Sequence, residues 1–355
     1  VQGDVLHLEV GQPSTPAPET VIAAAHRALD DHRLGYTDAA GIVQLRGRIA
    51  HFYRQRYGVE VDSRQIVLTM GASGGFALAF LAAFDVGDRV AVTEPGYPCY
   101  RNVLEAFGVE VIGIPVDAST RYVPMPYQLD EAGDLDGLVI ASPANPTGTM
   151  LTTDEMERTV RFCRNWGIRL IADEIYHGIT YERAAPTALA YTHDAIVLQS
   201  FSKYFSMTGW RLGWMVVPED LVRPVERLAQ NLFISPPTIA QIAAIAAFDG
   251  TEETEANVAR YRTNRDILAA MLRKVGLPFA PPDGAFYLYV DVSSITDDSQ
   301  TLCAAWLDQL GVACTPGIDF DPVRGRQFIR LSYSESTEDI TEAARRIGSW
   351  MAARG

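Results

Sequence analysis

The chain has 355 residues, a 48% hydrophobic composition and a formal net charge of -14, which suits about two domains of ~150 residues with a large core. The acidic balance disfavours nucleic acid and anionic membrane surfaces as partners. The longest unbroken apolar stretch, 76–84, is about half of the ~20 residues that a membrane span needs, and no basic leader followed by an apolar segment opens the chain, so secretion is unsupported. The four cysteines, Cys99, Cys163, Cys303 and Cys314, show neither C-x-x-C pairs nor a spacing typical of metal ligation or a disulfide framework. Inert thiols in a reducing cytoplasm are expected.

In chain order, an apolar strand at 5–10 precedes Gly11-Gln-Pro-Ser. Five further strand-length runs each end in a polar or turn cluster. Residues 66–69 lead into Met70-Gly-Ala-Ser-Gly-Gly, 89–93 into Glu94-Pro-Gly-Tyr-Pro, and 138–142 into Pro143-Ala-Asn-Pro-Thr-Gly. Residues 169–173 lead into Glu174-Ile-Tyr-His, and 195–199 into the segment around Lys203. Runs apolar on both faces, separated by helical stretches such as 76–84 and 153–166, predict a mostly parallel α/β sheet covered by helices. Ligands bind such sheets beyond the carboxyl ends of the strands, where all five clusters fall. A long helix is predicted over 251–275, with acidic residues first and Arg273 and Lys274 last, as a helix dipole favours. Strands at 284–291 and 327–332, with helices near 299–310 and 338–353, read as a smaller α/β C-terminal domain. The resulting division is an N-terminal segment 1–35 serving the small domain and the substrate site, a large domain 36–275, and a small domain 276–355.

Only two of the 30 basic residues are lysines. Lys274 is accounted for by its helix end, whereas Lys203 lies in Ser200-Phe-Ser-Lys-Tyr-Phe-Ser-Met-Thr-Gly-Trp-Arg. A guanidinium stays protonated, but a desolvated primary amine loses its proton and attacks a carbonyl, so Lys203 is a candidate covalent residue. The acidic pair Asp173-Glu174 also fits a magnesium site of a nucleotide hydrolase, but the Gly-Lys loop such enzymes need is missing from the sequence.

The ordered series Gly11-Gln-Pro, Tyr36-Thr-Asp-Ala-Ala-Gly, Gly71-Ala-Ser-Gly-Gly, Pro95-Gly-Tyr-Pro, Asn145-Pro-Thr-Gly, Asp173-Glu-Ile-Tyr, Ser200-Phe-Ser-Lys and Phe328-Ile-Arg-Leu-Ser resembles the class I/II aminotransferases, pyridoxal-phosphate (PLP) enzymes of fold type I. The resemblance spans almost the whole chain. It implies a homodimer with shared active sites and a small domain that closes over substrate. By the same resemblance Lys203 holds the cofactor aldehyde as a Schiff base and then acts as the proton-transfer base. Asp173 keeps the pyridine nitrogen protonated, and Tyr97 stacks on the ring. Asn145 and Tyr176 hydrogen-bond the phenolic oxygen. The phosphate is surrounded by Ala72, Ser73, Ser200, Ser202 and Arg211, with Tyr36 arriving from the other subunit. Arg330 grips the substrate carboxylate in a two-pronged bond, with the backbone of Gly11 nearby. No metal is implied. A cis peptide bond is expected at Pro143 or Pro146, aiming Asn145.

Many members carry a longer segment before the first Gly-x-Pro motif, and the start at Val1 leaves closure over substrate as the open step. Transamination is the expected reaction. The same scaffold also serves carbon–sulfur β-lyases and, behind a basic DNA-binding module, PLP-sensing regulators. No lysine stands near Ser73, where some family members with acidic substrates resemble one another in having a partner for the side-chain carboxylate, so the resemblance implies a neutral or aromatic amino donor.

Overall fold

The structure is a computed structural model that describes residues 5–31 and 34–354; Val1 lies outside the described residues. Seven strands form one sheet in the order Ile66–Thr69, Gly213–Val216, Ile196–Ser200, Arg169–Asp173, Gly137–Ala141, Arg89–Glu94, Glu110–Pro115. Gly213–Val216 runs antiparallel to both neighbours and the other adjacent pairs are parallel. The five cluster-bearing strands therefore all end on the same edge.

Side chains alternate across a strand, and here the alternation separates two apolar cores. Val67, Val139, Ile171, Ile196, Leu198 and Met215 pack on one face with Phe76 and Phe80 of helix Gly71–Ala83 and Val225 of helix Glu219–Leu232. Leu68, Leu138, Ile140, Leu170, Val197 and Trp214 pack on the other, with Ile49 and Tyr53 of helix Val43–Tyr57 and with Met156 and Val160 of helix Thr153–Trp166. That last helix starts at a capping box: Thr152 Oγ1 accepts from the Glu155 amide (3.2 Å) and Glu155 Oε2 accepts from the Thr152 amide (2.7 Å), pairing two amides that the first turn leaves free.

Tyr287–Asp291, Phe328–Ser332 and Thr315–Pro316 make a second, antiparallel sheet. Helix Thr337–Ala352 lies against the long helix Thr251–Lys274. The opening strand is shorter than expected, Leu6–His7, and pairs in parallel with Val312–Ala313. Beyond it the Leu8 amide still donates to the Ala313 carbonyl (3.0 Å), and the Glu9 carbonyl accepts from the Arg330 guanidinium (2.6 Å) and from Thr315 Oγ1 (3.1 Å). The expected strand over 284–291 begins only at Tyr287. Gly284 is held by the Gly148 carbonyl (2.9 Å) and Ala285 has φ +55, a left-handed conformation that breaks a strand. The strands Glu110–Pro115 and Gly213–Val216 complete the seven-stranded sheet outside the six apolar runs of the sequence. Among the described residues no helix is long and apolar enough to cross a membrane.

Phe201 follows the strand that leads to Lys203 and is fully buried, with ring centroids of Trp214, Phe205 and Phe248 at 4.8, 5.3 and 5.7 Å. Phe201→Ala is expected to destabilise the protein by about 3–5 kcal/mol, read as a lower urea midpoint. An unchanged midpoint would show that this aromatic cluster does not anchor the strand end.

Candidate active site

Each strand end delivers its side chain to the same place. Asp173 is the last residue of its strand, and Lys203 lies three residues beyond Ser200, the end of the next. Asn145 follows Gly137–Ala141, and Tyr97 caps the helix Pro98–Ala106 that follows Arg89–Glu94. Ala72 and Ser73 lie in the first turn of helix Gly71–Ala83. Arg330 comes from the middle of Phe328–Ser332. These residues, with Gly11, Tyr176, Ser202 and Arg211, line one cavity of about 300 Å³.

The Lys203 amine donates to the Gly11 carbonyl. Burial, then the nearby Arg330 and Arg211 guanidinium groups, lower its pKa to about 8, opposed by Asp173. Asp173 accepts from the Tyr100 hydroxyl and from the Ile175 amide (3.0 Å). Burial nevertheless raises its pKa to about 6, because neutral donors replace only part of the lost hydration. Glu174, the neighbouring residue, faces away from the cavity and accepts from the Ala188 amide (2.8 Å). The two carboxyl groups thus do not converge as a magnesium pair would require. Among the described residues no group of three or more His, Cys, Asp or Glu side chains is arranged to hold a metal ion.

The Arg330 guanidinium donates to Asn145 Oδ1 (2.9 Å), to the Glu9 carbonyl (2.6 Å) and to Thr315 Oγ1 (3.2 Å). It lies over the rings of Tyr287 (4.5 Å) and Phe320 (4.8 Å). Among the described residues its buried Nε has no hydrogen-bond partner, so the group retains unused donor capacity. Both Ser142–Pro143 and Asn145–Pro146 are cis, as is Glu94–Pro95. The first two satisfy the expectation for the turn that carries Asn145.

At the other end of the cavity Gly71 has φ +66, and an added Cβ would stand 2.6 Å from an Arg211 guanidinium nitrogen. Arg211 itself has φ +53, and its guanidinium donates to the Thr208 carbonyl (3.0 Å). The free amides of a helix start, the Ser73 and Ser202 side chains and this guanidinium make an anion cradle. Ser200 differs from expectation: its hydroxyl donates to Ser202 Oγ (2.9 Å) from behind the cavity wall, and it does not line the cavity. Tyr36 is 82% exposed and also lies outside the cavity of its own chain.

Sequence reasoning missed Tyr100, Thr208, Ile175 and Tyr287, all of which line the cavity. For Tyr100 a signal existed, since it follows Tyr97 by three residues at a proline-started helix and so shares its face. Tyr287 gave none, because its strand reads as an ordinary buried one.

The donor set fits pyridoxal phosphate: a desolvated amine for the aldehyde, a buried carboxyl for the ring nitrogen, an anion cradle, and a guanidinium with a free donor. Comparison with known proteins agrees. The family model "Aminotransferase class I and II" matches residues 3–347. The valine–pyruvate aminotransferase of Mycobacterium tuberculosis is 50% identical over 355 residues, covering 98% of this chain and 92% of that protein. A crystal structure of an aminotransferase from Mycobacterium tuberculosis superposes with a TM-score of 0.97 at 49% identity, covering 99% of this chain and 93% of that one. The aspartate aminotransferase from Thermus thermophilus with maleate gives a TM-score of 0.92 at 31% identity, covering 98% and 91% of the two chains. These relatives favour neither a β-lyase nor a regulator. The chain belongs to the class I and II aminotransferases, enzymes that use pyridoxal phosphate to move an amino group between amino acids and 2-oxo acids.

Proposed function

We propose that this aminotransferase takes a neutral amino donor such as valine and returns the amino group to a small 2-oxo acid such as pyruvate. The carrying observation is the charge inventory of the cavity. Among the described residues that line it the cations are Lys203, Arg211 and Arg330, and each has a task. None is left to pair with a side-chain carboxylate, while Ile175, Tyr97, Tyr100 and Tyr287 offer apolar and aromatic surface. The 50% identical relative named as a valine–pyruvate aminotransferase supports the same choice.

When bound, pyridoxal phosphate supplies an aldehyde that joins a primary amine and a protonated ring that accepts electron density from the substrate Cα. Lys203 Nζ, with its pKa lowered to about 8, would hold the aldehyde, and as a neutral amine it would be the base for the proton at Cα. Asp173 keeps a proton on the ring nitrogen; that cationic partner would draw the carboxyl back to its ionised form. Ala72, Ser73, Ser202, Thr208 and Arg211 hold the phosphate, with Ser200 orienting Ser202. Tyr97 would cover the ring face, and Tyr176 would donate to the phenolic oxygen. Arg330 grips the substrate carboxylate beside Asn145 and Gly11. Tyr36 serves the phosphate of a second copy in a homodimer, which accords with its exposure in the single chain.

The test is to mix holoenzyme with single amino acids and follow the cofactor absorbance. Valine should convert it to the amine form with a kcat/KM at least tenfold above that for aspartate, and pyruvate should reverse the change. A preference for aspartate would overturn the neutral-donor reading. Borohydride treatment should label the peptide containing residue 203.

Arg330→Ala is expected to weaken amino-acid binding by about 1.5–3 kcal/mol, the scale of lost charge-assisted bonds, while the cofactor stays bound and its visible absorption band remains, with at most a shifted pH midpoint. Loss of that band would refute its assignment to substrate. Gly71→Ala should add roughly 1–2 kcal/mol of backbone strain at this left-handed position and displace Arg211. The expected result is roughly tenfold weaker cofactor affinity, about 1.4 kcal/mol, measured by titrating apoenzyme with pyridoxal phosphate. Unaltered affinity would mean that the cradle does not include Arg211.

A further inference from the structure

Tyr287 stands where three groups of the site meet. Its hydroxyl is 2.6 Å from that of Tyr176, with the two rings edge to face at 5.6 Å and 82°. The face of its ring carries the Arg330 guanidinium at 4.5 Å. An added Cβ on Gly11 would come within 2.2 Å of the Tyr287 hydroxyl oxygen, so the phenol presses against the residue whose carbonyl receives the Lys203 amine. Tyr176 and Tyr287 are both buried, and burial pushes both phenols up, so each carries its proton at neutral pH. A phenol has one proton and can donate only once. If Tyr176 donates into the cavity, its oxygen is left as an acceptor, and Tyr287 is the hydroxyl placed to donate to it.

We propose that Tyr287 is a positioning residue with two separable roles: its hydroxyl donates to Tyr176 and strengthens Tyr176 as a donor to the cofactor's phenolic oxygen, while its ring holds Arg330 in place for the substrate carboxylate. The inference rests on the reading that Tyr176 contacts that oxygen. Hydrogen bonds in a chain polarise one another, so the outer donor improves the inner one. A good donor on the phenolic oxygen draws density from it and lowers the proton affinity of the adjacent nitrogen contributed by Lys203; a poorer donor raises it. The ring role follows from the attraction of a guanidinium to an aromatic face.

Two substitutions separate the roles in the holoenzyme. Tyr287→Phe keeps the ring and removes the hydroxyl. The pH midpoint of the holoenzyme's visible absorption should then rise by about 0.3–1 unit, a fraction of the free energy of one hydrogen bond, with the KM for the amino donor unchanged within twofold. Tyr287→Leu removes both, so the midpoint should rise similarly and KM should increase at least fivefold. Tyr176→Phe is the control and should shift the midpoint at least as far as Tyr287→Phe. A shift in Tyr176→Phe without one in Tyr287→Phe overturns the hydroxyl role and leaves the assignment of Tyr176 standing. No shift in either variant refutes that underlying assignment. An unchanged KM in Tyr287→Leu overturns the ring role.

Discussion

The site depends on keeping charged groups together where little water reaches them. An amine, two guanidinium groups and a carboxyl share one cavity, and desolvation is the largest influence on the ionisation of the amine and of the carboxyl. It brings Lys203 down to about 8 and Asp173 up to about 6. Loss of hydration disfavours the charged form of each group, which moves an amine and a carboxyl in opposite directions. The amine is thereby available in its neutral, reactive form near physiological pH, and the carboxyl is primed to respond to a cation placed against it.

Such an arrangement persists only if the surrounding backbone replaces the lost water. The carbonyl oxygens of Glu9 and Gly11 receive the guanidinium of Arg330 and the amine of Lys203. This ties the N-terminal segment to the site through an amine and a guanidinium, and the charge-assisted bond of the guanidinium is roughly twice as strong as a neutral one. The same segment is bonded to the C-terminal part by the pairing of Leu6–His7 with Val312–Ala313. Arg330 is thereby hydrogen-bonded at once to Asn145, to Thr315 and to the segment that follows the opening strand. Behind the sheet edge, burial raises Glu174 to about 8 and lowers His177 to about 3. Both are then mostly neutral at pH 7, so the layer beneath Asp173 adds little competing charge.

The mostly parallel sheet was legible because its strands are apolar on both faces and end in turn-rich clusters, a pattern that a half-exposed sheet would not produce. Lys203 was legible from scarcity, and Asp173 from its place at the end of an apolar run. The antiparallel strand Gly213–Val216 was hidden inside the segment that holds Lys203 and Arg211, where its short apolar stretch reads as part of a chemical motif. The shortening of the 284–291 strand was hidden too, since it arises from a contact between Gly284 and Gly148, 136 residues apart in sequence. Ser200 looked equivalent to Ser202 in Ser-Phe-Ser-Lys; only the backbone path sets one against the cavity and the other behind it.

The sequence by itself determined which chemical groups stand at the strand ends, because side-chain identity and the period-two alternation of a strand are local properties. The tertiary structure alone decided which of those groups meet. Tyr287 reaches Tyr176 across 111 residues and Arg330 reaches Asn145 across 185, and such approaches depend on how two sheets pack, which no local pattern of residues encodes.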